Sequence, residues 1–279
     1  MDTIIRQLSF AFALSAFFTF LVWSIPSIRR WFDTSFFRRI GYPPFIKEVI
    51  ALYAKSNPGQ SWREKKVEIE GNLVDIPYPV WDCWAIFHDP GVIHRIGFQV
   101  IEKYGDLIHK GTKICAVTNP ALFFLGSIDD WLRERGAIAF SLEKSYPSTR
   151  DWRETPLVLF DLNFNTGNTI IEASKFFTNL RWEPEHIIVV LYNDLVPENE
   201  TYLSESGILQ KLKYVFKASE IIDHWDNQEI TQAVKTVQQA LKNKSIWNDL
   251  PVQNSLTLLR THPPVGVNSG YQPLGSINN

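Results

Sequence analysis

The chain has 279 residues, of which 45% are hydrophobic and 21% charged, so a wholly disordered or fibrous protein is excluded. Its 28 basic and 30 acidic side chains give a net charge of −2, so it has no overall positive field to hold nucleic acid, and we expect no nucleic-acid partner. A chain of this length can bury a sizeable core, so its two cysteines are not needed as a disulfide staple.

The first predicted element is an apolar segment. Residues 8–28 read LSFAFALSAFFTFLVWSIPSI, 21 residues without a charge, which as a helix matches a hydrocarbon layer about 30 Å thick. Four arginines follow and alternate with Trp and Phe side chains, a pattern typical of a cytoplasmic membrane interface. We therefore expect a single-pass membrane anchor over residues 1–30, in contact with lipid, and a folded domain facing the cytoplasm. A hydrophobic helix packed on its own domain or lying flat in the interface stays open.

Residues 31–90 are predicted to form a lead-in or hood segment. Prolines interrupt residues 41–79 repeatedly, leaving room for a helix at about 45–55 and a short strand at 66–69. From residue 91 the pattern changes to alternating helical and continuous apolar stretches. Such alternation predicts an α/β domain over residues 91–250, an open parallel sheet flanked by helices.

The elements of this domain are predicted in chain order. Helices are expected at 91–104, 122–135, 169–180 and about 230–241, and strands at 113–118, 137–142, 157–160, 186–192 and 214–218. The remaining residues, 251–279, are rich in Asn, Ser, Gly and Pro without periodicity, and we predict a disordered tail.

The sharpest local signal is the run LVLFDLNFNTGNTI over residues 157–170, which predicts a strand, a loop and a helix start. In an open parallel sheet, ligands bind beyond the carboxyl ends of the strands, and a helix N-terminus offers amide groups to an anion. Thr166 and Thr169 add hydroxyl donors, Gly167 permits a tight turn, and Asp161 would accept hydrogen bonds from sugar hydroxyls. This combination suits a ribose 5-phosphate. An ordinary strand-to-helix turn capped by Thr and Asn is the alternative.

This run resembles the phosphoribosyl pyrophosphate loop of the type I phosphoribosyltransferases, most closely the orotate and purine-salvage kind. The resemblance implies a phosphoribosyltransferase-like fold, binding of phosphoribosyl pyrophosphate or a nucleoside 5′-phosphate, and transfer of phosphoribose to a nucleobase. It also implies Mg²⁺ carried in by the diphosphate, so that the chain itself supplies no metal ligand, and a homodimer. Asp161 would be the catalytic residue, and the ligand loop would comprise Asp161, Asn165, Thr166, Gly167, Asn168 and Thr169.

Two further parts are placed from the resemblance by position. The pyrophosphate-binding loop would correspond to residues 116–120, with Thr118 and Asn119 as donors, and a basic loop would supply Lys144, Arg150 and Arg153. The chain departs from the family pattern at Leu162, which stands where the family has a second acid. That departure favours the alternative of a non-catalytic nucleotide-sensing or scaffold protein with a degenerate phosphoribosyltransferase fold.

Overall fold

The computed structural model describes residues 45–56, 61–81, 84–88, 90–142 and 154–261. The chain divides into two compact units, residues 1–48 and 49–279; the described part of the first is the opening turn of helix α1 (Phe45–Ser56). The predicted anchor over residues 1–30 lies outside the described residues. Within the described ranges, no helix combines the length and the apolar character needed to cross a bilayer.

The second unit is built on a parallel sheet of five strands. These are β3 (Lys113–Ala116), β4 (Ile138–Ser141), β5 (Leu157–Phe164), β6 (His186–Tyr192) and β7 (Leu212–Lys217), arranged in the order β4-β3-β5-β6-β7. Every neighbouring pair is parallel. Residues 187–191 of β6 are fully buried, as a strand covered on both faces requires. The predicted α/β class with an open parallel sheet is confirmed.

Helices connect and flank the strands. They are α2 (Pro90–Tyr104), α3 (Asn119–Ser127), α4 (Asp129–Glu134), α5 (Asn168–Asn179), α6 (Asn199–Glu205), α7 (Ala218–Ile222), α8 (Gln228–Lys242) and α9 (Leu250–Thr261). The predicted helix 122–135 is in fact two helices, because the chain leaves helical geometry at Ile128, whose φ and ψ are −117° and 16°.

An antiparallel ribbon precedes this sheet. It consists of β1 (Ser61–Ile69) and β2 (Asn72–Val80), joined by Glu70 and Gly71, which both have positive φ as a tight hairpin turn requires. The sequence predicted only a short strand at residues 66–69, because prolines interrupt this part of the chain repeatedly. A two-stranded ribbon has two open edges, and a proline is tolerated where its missing N–H faces away from the partner strand.

The predicted disorder is wrong for residues 251–261. They belong to helix α9, whose Val252, Leu256 and Leu259 are buried at i, i+4 and i+7. The Nη2 atom of Arg260 donates a hydrogen bond to the carbonyl oxygen of Asp75, 2.8 Å away, so the helix is also fixed to the ribbon. Three apolar residues spaced over two turns give this helix a buried stripe that fixes it to the domain. Residues 262–279 lie outside the described part.

Candidate functional site

The order of the strands creates a crevice between β3 and β5. The chain passes from β3 to β4 on one side and from β5 to β6 on the other, so the connections that leave the two adjacent strands run in opposite directions. In open α/β sheets the ligand site lies outside the carboxyl ends of strands at such a switch point. Most of the residues predicted to bind ligand lie here.

The turn after β5 ends in an open helix N-terminus. Gly167 is the N-cap residue of α5, with φ 77° and ψ −4°, and its carbonyl accepts a hydrogen bond of 2.9 Å from the amide of Ile171. A glycine has no side chain to occupy the first amides of the helix, and the first turn contains no acidic residue. Asn168 and Thr169 are exposed. The amides of this turn and the positive end of the helix dipole therefore favour an anion from solvent.

Gly167 is required for packing as well as for the turn. A Cβ atom on this residue would lie 2.1 Å from Cζ of Phe164, the last residue of β5. Phe164 is 1% exposed, and its ring packs edge-on to Tyr192 at a centroid distance of 5.8 Å. The floor of the turn is thus an aromatic ring fixed in the core, which holds the backbone of residues 165–167 in place.

Asp161 lies inside β5 rather than in the loop that follows it. It pairs with Val189 of β6 and is 5% exposed. Its Oδ1 atom accepts hydrogen bonds from Oγ1 of Thr118 at 2.7 Å and from the amide of Leu162 at 2.8 Å. Burial raises the pKa of Asp161 to about 6, and the two hydrogen bonds act in the opposite direction.

The turn after β3 provides a second helix N-terminus. Thr118 is the N-cap residue of α3 in extended geometry, and its carbonyl accepts a hydrogen bond of 3.1 Å from the amide of Leu122. The Thr118 side chain makes no capping hydrogen bond to this helix, and Pro120 lies in the first turn, where a helix does not need the missing N–H. Because the Thr118 hydroxyl donates to Asp161, it cannot donate to a ligand at the same time.

Asn165, predicted as a ligand residue, is held by the structure itself. Its Nδ2 atom donates to the carbonyl of Trp81 at 3.4 Å, and its Oδ1 atom accepts from Nδ2 of Asn193 at 3.3 Å. Asn193 also donates to the carbonyl of Pro79 at 2.8 Å, and Asn199 donates to the carbonyls of Asn165 and Asn193 at 3.4 and 3.1 Å. These asparagines fix the end of the β1–β2 ribbon to the carboxyl edge of the sheet.

The sequence reasoning missed Asn193 and Asn199. The available signal for Asn193 was its place immediately after the apolar run of β6, where the carboxyl edge of the sheet must lie. Asn199 stands in an Asn-Glu-Thr sequon, but it is 4% exposed and its amide nitrogen already donates two hydrogen bonds, so a glycan there is incompatible with this fold.

Among the residues that the structure describes, no group of three or more His, Cys, Asp and Glu side chains is placed to hold a metal ion. Asp161 is the acidic side chain between the two turns, and Leu162 beside it is fully buried.

Comparison with known proteins yields likeness in structure alone. No protein-family model and no curated protein matches the sequence.

The solved structures that it resembles are phosphoribosyltransferases and a related synthase. Orotate phosphoribosyltransferase of Mycobacterium tuberculosis with inorganic phosphate is 14% identical over 64% of this chain and 99% of that chain, with a TM-score of 0.42. UMP synthase of Leishmania donovani is 14% identical over 71% of this chain and 42% of its own, with a TM-score of 0.47. Adenine phosphoribosyltransferase of Leishmania donovani is 13% identical over 62% and 81%, with a TM-score of 0.40. Likeness at this level does not assign a function.

The predicted site residues separate into three groups. Asp161 and Thr118, from the two predicted loops, are joined by a direct hydrogen bond. The helix-start residues Thr166, Gly167, Asn168 and Thr169, together with Asn119 of α3, lie at the carboxyl ends of the two strands on either side of the crevice. The basic residues Lys144, Arg150 and Arg153 lie outside the described ranges, and their role stays a prediction.

Proposed function

We propose that this protein binds phosphoribosyl pyrophosphate or a nucleoside 5′-phosphate in the crevice between residues 117–119 and 165–169. The observation that carries the proposal is the pair of helix N-termini, α3 and α5, at the carboxyl ends of adjacent strands on either side of the switch point. Phosphoribosyl pyrophosphate has phosphate groups at both ends and would occupy both N-termini, whereas a nucleoside 5′-phosphate would occupy one of them.

In this proposal the 5′-phosphate binds to the first turn of α5. Thr169 and Asn168 are exposed there, Thr166 is half-buried beside them, and no carboxylate in the turn repels an anion. Hydroxyl and amide donors of this kind form hydrogen bonds with phosphate oxygens. They do so without the loss of conformational entropy that ordering a long basic side chain requires. The diphosphate, as its Mg²⁺ complex, is directed to the N-terminus of α3 and the predicted basic residues Lys144, Arg150 and Arg153.

Whether binding leads to transfer depends on the negative charge near the anomeric carbon. Transfer of phosphoribose breaks the bond to pyrophosphate and forms a bond to a base nitrogen through a cation-like state, which a nearby carboxylate stabilises. We propose Asp161 for that role. A non-catalytic nucleotide sensor is the second candidate, and it is favoured by two observations: Leu162 adds no second acid, and Asp161 is buried and already accepts two hydrogen bonds.

Binding is tested by calorimetric titration of the full chain in detergent with phosphoribosyl pyrophosphate and Mg²⁺. Replacing Thr169 with Glu puts a carboxylate at the proposed phosphate site, and we expect heat of binding with the wild type and its loss in this variant. An acid in the first turn of a helix favours the fold, so unfolding would not explain the loss. Thr178→Glu, at an exposed position near the other end of α5, is the matched control and should bind as wild type.

Three outcomes are informative here. Absence of heat with the wild type contradicts the binding of phosphoribosyl pyrophosphate, and equal binding by Thr169→Glu contradicts the assignment to α5. Where binding occurs, release of pyrophosphate on addition of a nucleobase separates the transferase from the sensor.

We also propose that residues 8–28 anchor the domain in a membrane. The proposal is supported by the uncharged length of this segment and by the arginine and aromatic residues that follow it. We expect the full chain to stay with the membrane pellet after washing with alkaline carbonate. Release into the supernatant would contradict the anchor and would leave the ligand proposal unaffected.

A further inference from the structure

Three aromatic residues form a partly exposed surface cluster at α3. Trp84 is 46% exposed and Phe123, on α3, is 63% exposed. The ring of Trp84 lies 5.7 Å from that of Phe87 and 5.8 Å from that of Phe123, measured between centroids. Large apolar side chains exposed singly are ordinary, but contiguous exposed rings indicate an interaction surface. We refer to Trp84, Phe87 and Phe123 as the aromatic patch.

The helix that carries Phe123 has no charge along its length. Its sequence is NPALFFLGS, and its buried face, which includes Phe124 and Leu125, packs into the domain. Transfer of the exposed face from water to an apolar medium therefore removes no charged group from solvent. The exposed face of α3 can therefore enter an interfacial environment without burying a charge.

The chain itself indicates what this environment is. Sixteen residues, 29–44, separate the proposed anchor over residues 8–28 from the first described residue, Phe45. Even a fully extended chain of this length spans no more than about 55 Å, so an inserted anchor holds the domain close to the lipid surface. At that short range a weak surface contact is favoured by a high effective concentration.

We propose that the aromatic patch docks into the lipid headgroup layer as a second membrane contact of this protein. Tryptophan is stabilised at headgroup depth, where its ring meets acyl chains and its N–H group meets water, and phenylalanine side chains on an apolar face bury at the boundary between headgroups and acyl chains. The proposal depends on the proposed membrane anchor, and its validity does not depend on whether the protein binds the proposed ligand.

The charged residues that are nearest to α3 in the sequence predict which lipids the patch needs. Asp129 and Asp130 follow α3 after Ile128, and Asp129 forms an ion pair with Arg133. Acidic side chains at this position give anionic lipid no electrostatic advantage. Docking is therefore apolar, and it occurs on zwitterionic phosphatidylcholine without a requirement for anionic lipid.

Docking would also affect the candidate site. Asn119 and Phe123 are four residues apart on α3 and so share one face of the helix. A membrane contact through Phe123 would place the α3 side of the crevice next to the headgroups. A soluble phosphorylated ligand would then approach from the side of α5.

The test uses the full chain, one copy per phosphatidylcholine nanodisc, with Cys83→Ser to remove a competing thiol. The other cysteine, Cys115, is fully buried. An environment-sensitive fluorophore is attached at Phe123→Cys and, as a matched control, at Leu250→Cys, a position that is 72% exposed. We expect a blue shift at position 123 and quenching by spin-labelled lipid, with neither effect at position 250, and no change when phosphatidylserine is included.

The contrary outcomes are distinct. Insertion into the disc with equal quenching at positions 123 and 250 contradicts the patch proposal alone. A blue shift at 123 that spin-labelled lipid does not quench means that protein, such as a second copy or another segment of this chain, covers the ring, and it also contradicts the proposal. A chain that fails to insert contradicts the anchor and the patch together, while the calorimetric result with phosphoribosyl pyrophosphate stands by itself.

Discussion

Replacing Gly167 with alanine is expected to lower the free energy of unfolding by about 3–5 kcal/mol, combining left-handed backbone strain with overpacking. The added Cβ would lie 2.1 Å from Cζ and 2.5 Å from Cε1 of Phe164, well inside contact distance. The φ angle of 77° adds a cost for any residue with a side chain. Neither strain is easily relieved, because the Phe164 ring is enclosed by the core and the turn is fixed by Asn165.

Gly71→Ala is the matched control for this prediction. Gly71 has a φ of 82°, and no atom lies within 4 Å of where its Cβ would be. This variant therefore has the backbone cost alone, about 1–2 kcal/mol. Urea denaturation measures the free energy of unfolding of both variants. Equal decreases in the two variants would show that the contact with Phe164 adds no cost to Gly167→Ala. In a Phe164→Leu background, the cost of Gly167→Ala should fall toward that of Gly71→Ala.

The double role of Gly167 affects how the site can be studied. A change at this residue would lower ligand binding by disturbing the fold, whatever the ligand. Thr169 is exposed, so a change there addresses binding without the same cost in stability. For this reason the ligand test relies on Thr169 and Thr178.

The sequence predicted the five strands of the sheet, because continuous apolar runs such as those in β5 and β6 are long enough to identify buried strands. It did not predict where β5 ends. The apolar run stops at Phe160, but backbone pairing with β6 continues to Asn163 and Phe164, opposite Leu191 and Tyr192. Pairing with a distant segment decides the end of a strand, and this is why Asp161 lies within the sheet and not in the loop.

The attachment of the ribbon was likewise beyond sequence reasoning. Contacts of Asn165 and Asn193 with the carbonyls of Pro79 and Trp81 join segments about 80 to 115 residues apart, and no local pattern specifies them. Helix α9 was missed for a different reason. Its buried stripe has only Val252, Leu256 and Leu259, and Leu250 and Leu258 lie off this stripe, so the helical period is not evident in the sequence.

The Asp161→Asn variant is expected to be more stable than the wild type at pH 8 by about 2–3 kcal/mol, and equally stable near pH 4. Asparagine keeps an oxygen that accepts hydrogen bonds from Thr118 and the amide of Leu162, but it carries no buried charge. Burial raises the pKa of Asp161 from 3.8 to about 6, so between these pH values the folded protein holds this proton more firmly than the unfolded chain. As the pH rises through this window, the Asp161 carboxyl therefore lowers the free energy of unfolding of the wild type, and above the window its effect is constant. In Asp161→Asn no group titrates at this position, so this decrease is absent.

Urea denaturation at pH 4, 6 and 8 measures this difference, with Asp130→Asn at an exposed position as a control expected to change stability by less than about 0.5 kcal/mol at each pH. A less stable Asp161→Asn at pH 8 would mean that the carboxylate is needed by the fold.

If the prediction holds, the folded protein retains an acid that lowers its stability at neutral pH, at the switch point of its sheet. Residues of this kind are enriched at functional sites, where they are retained for chemistry at the expense of stability. Loss of pyrophosphate release with intact ligand binding in Asp161→Asn would assign that chemistry to transfer, and unchanged binding without any release in either protein would favour the sensor.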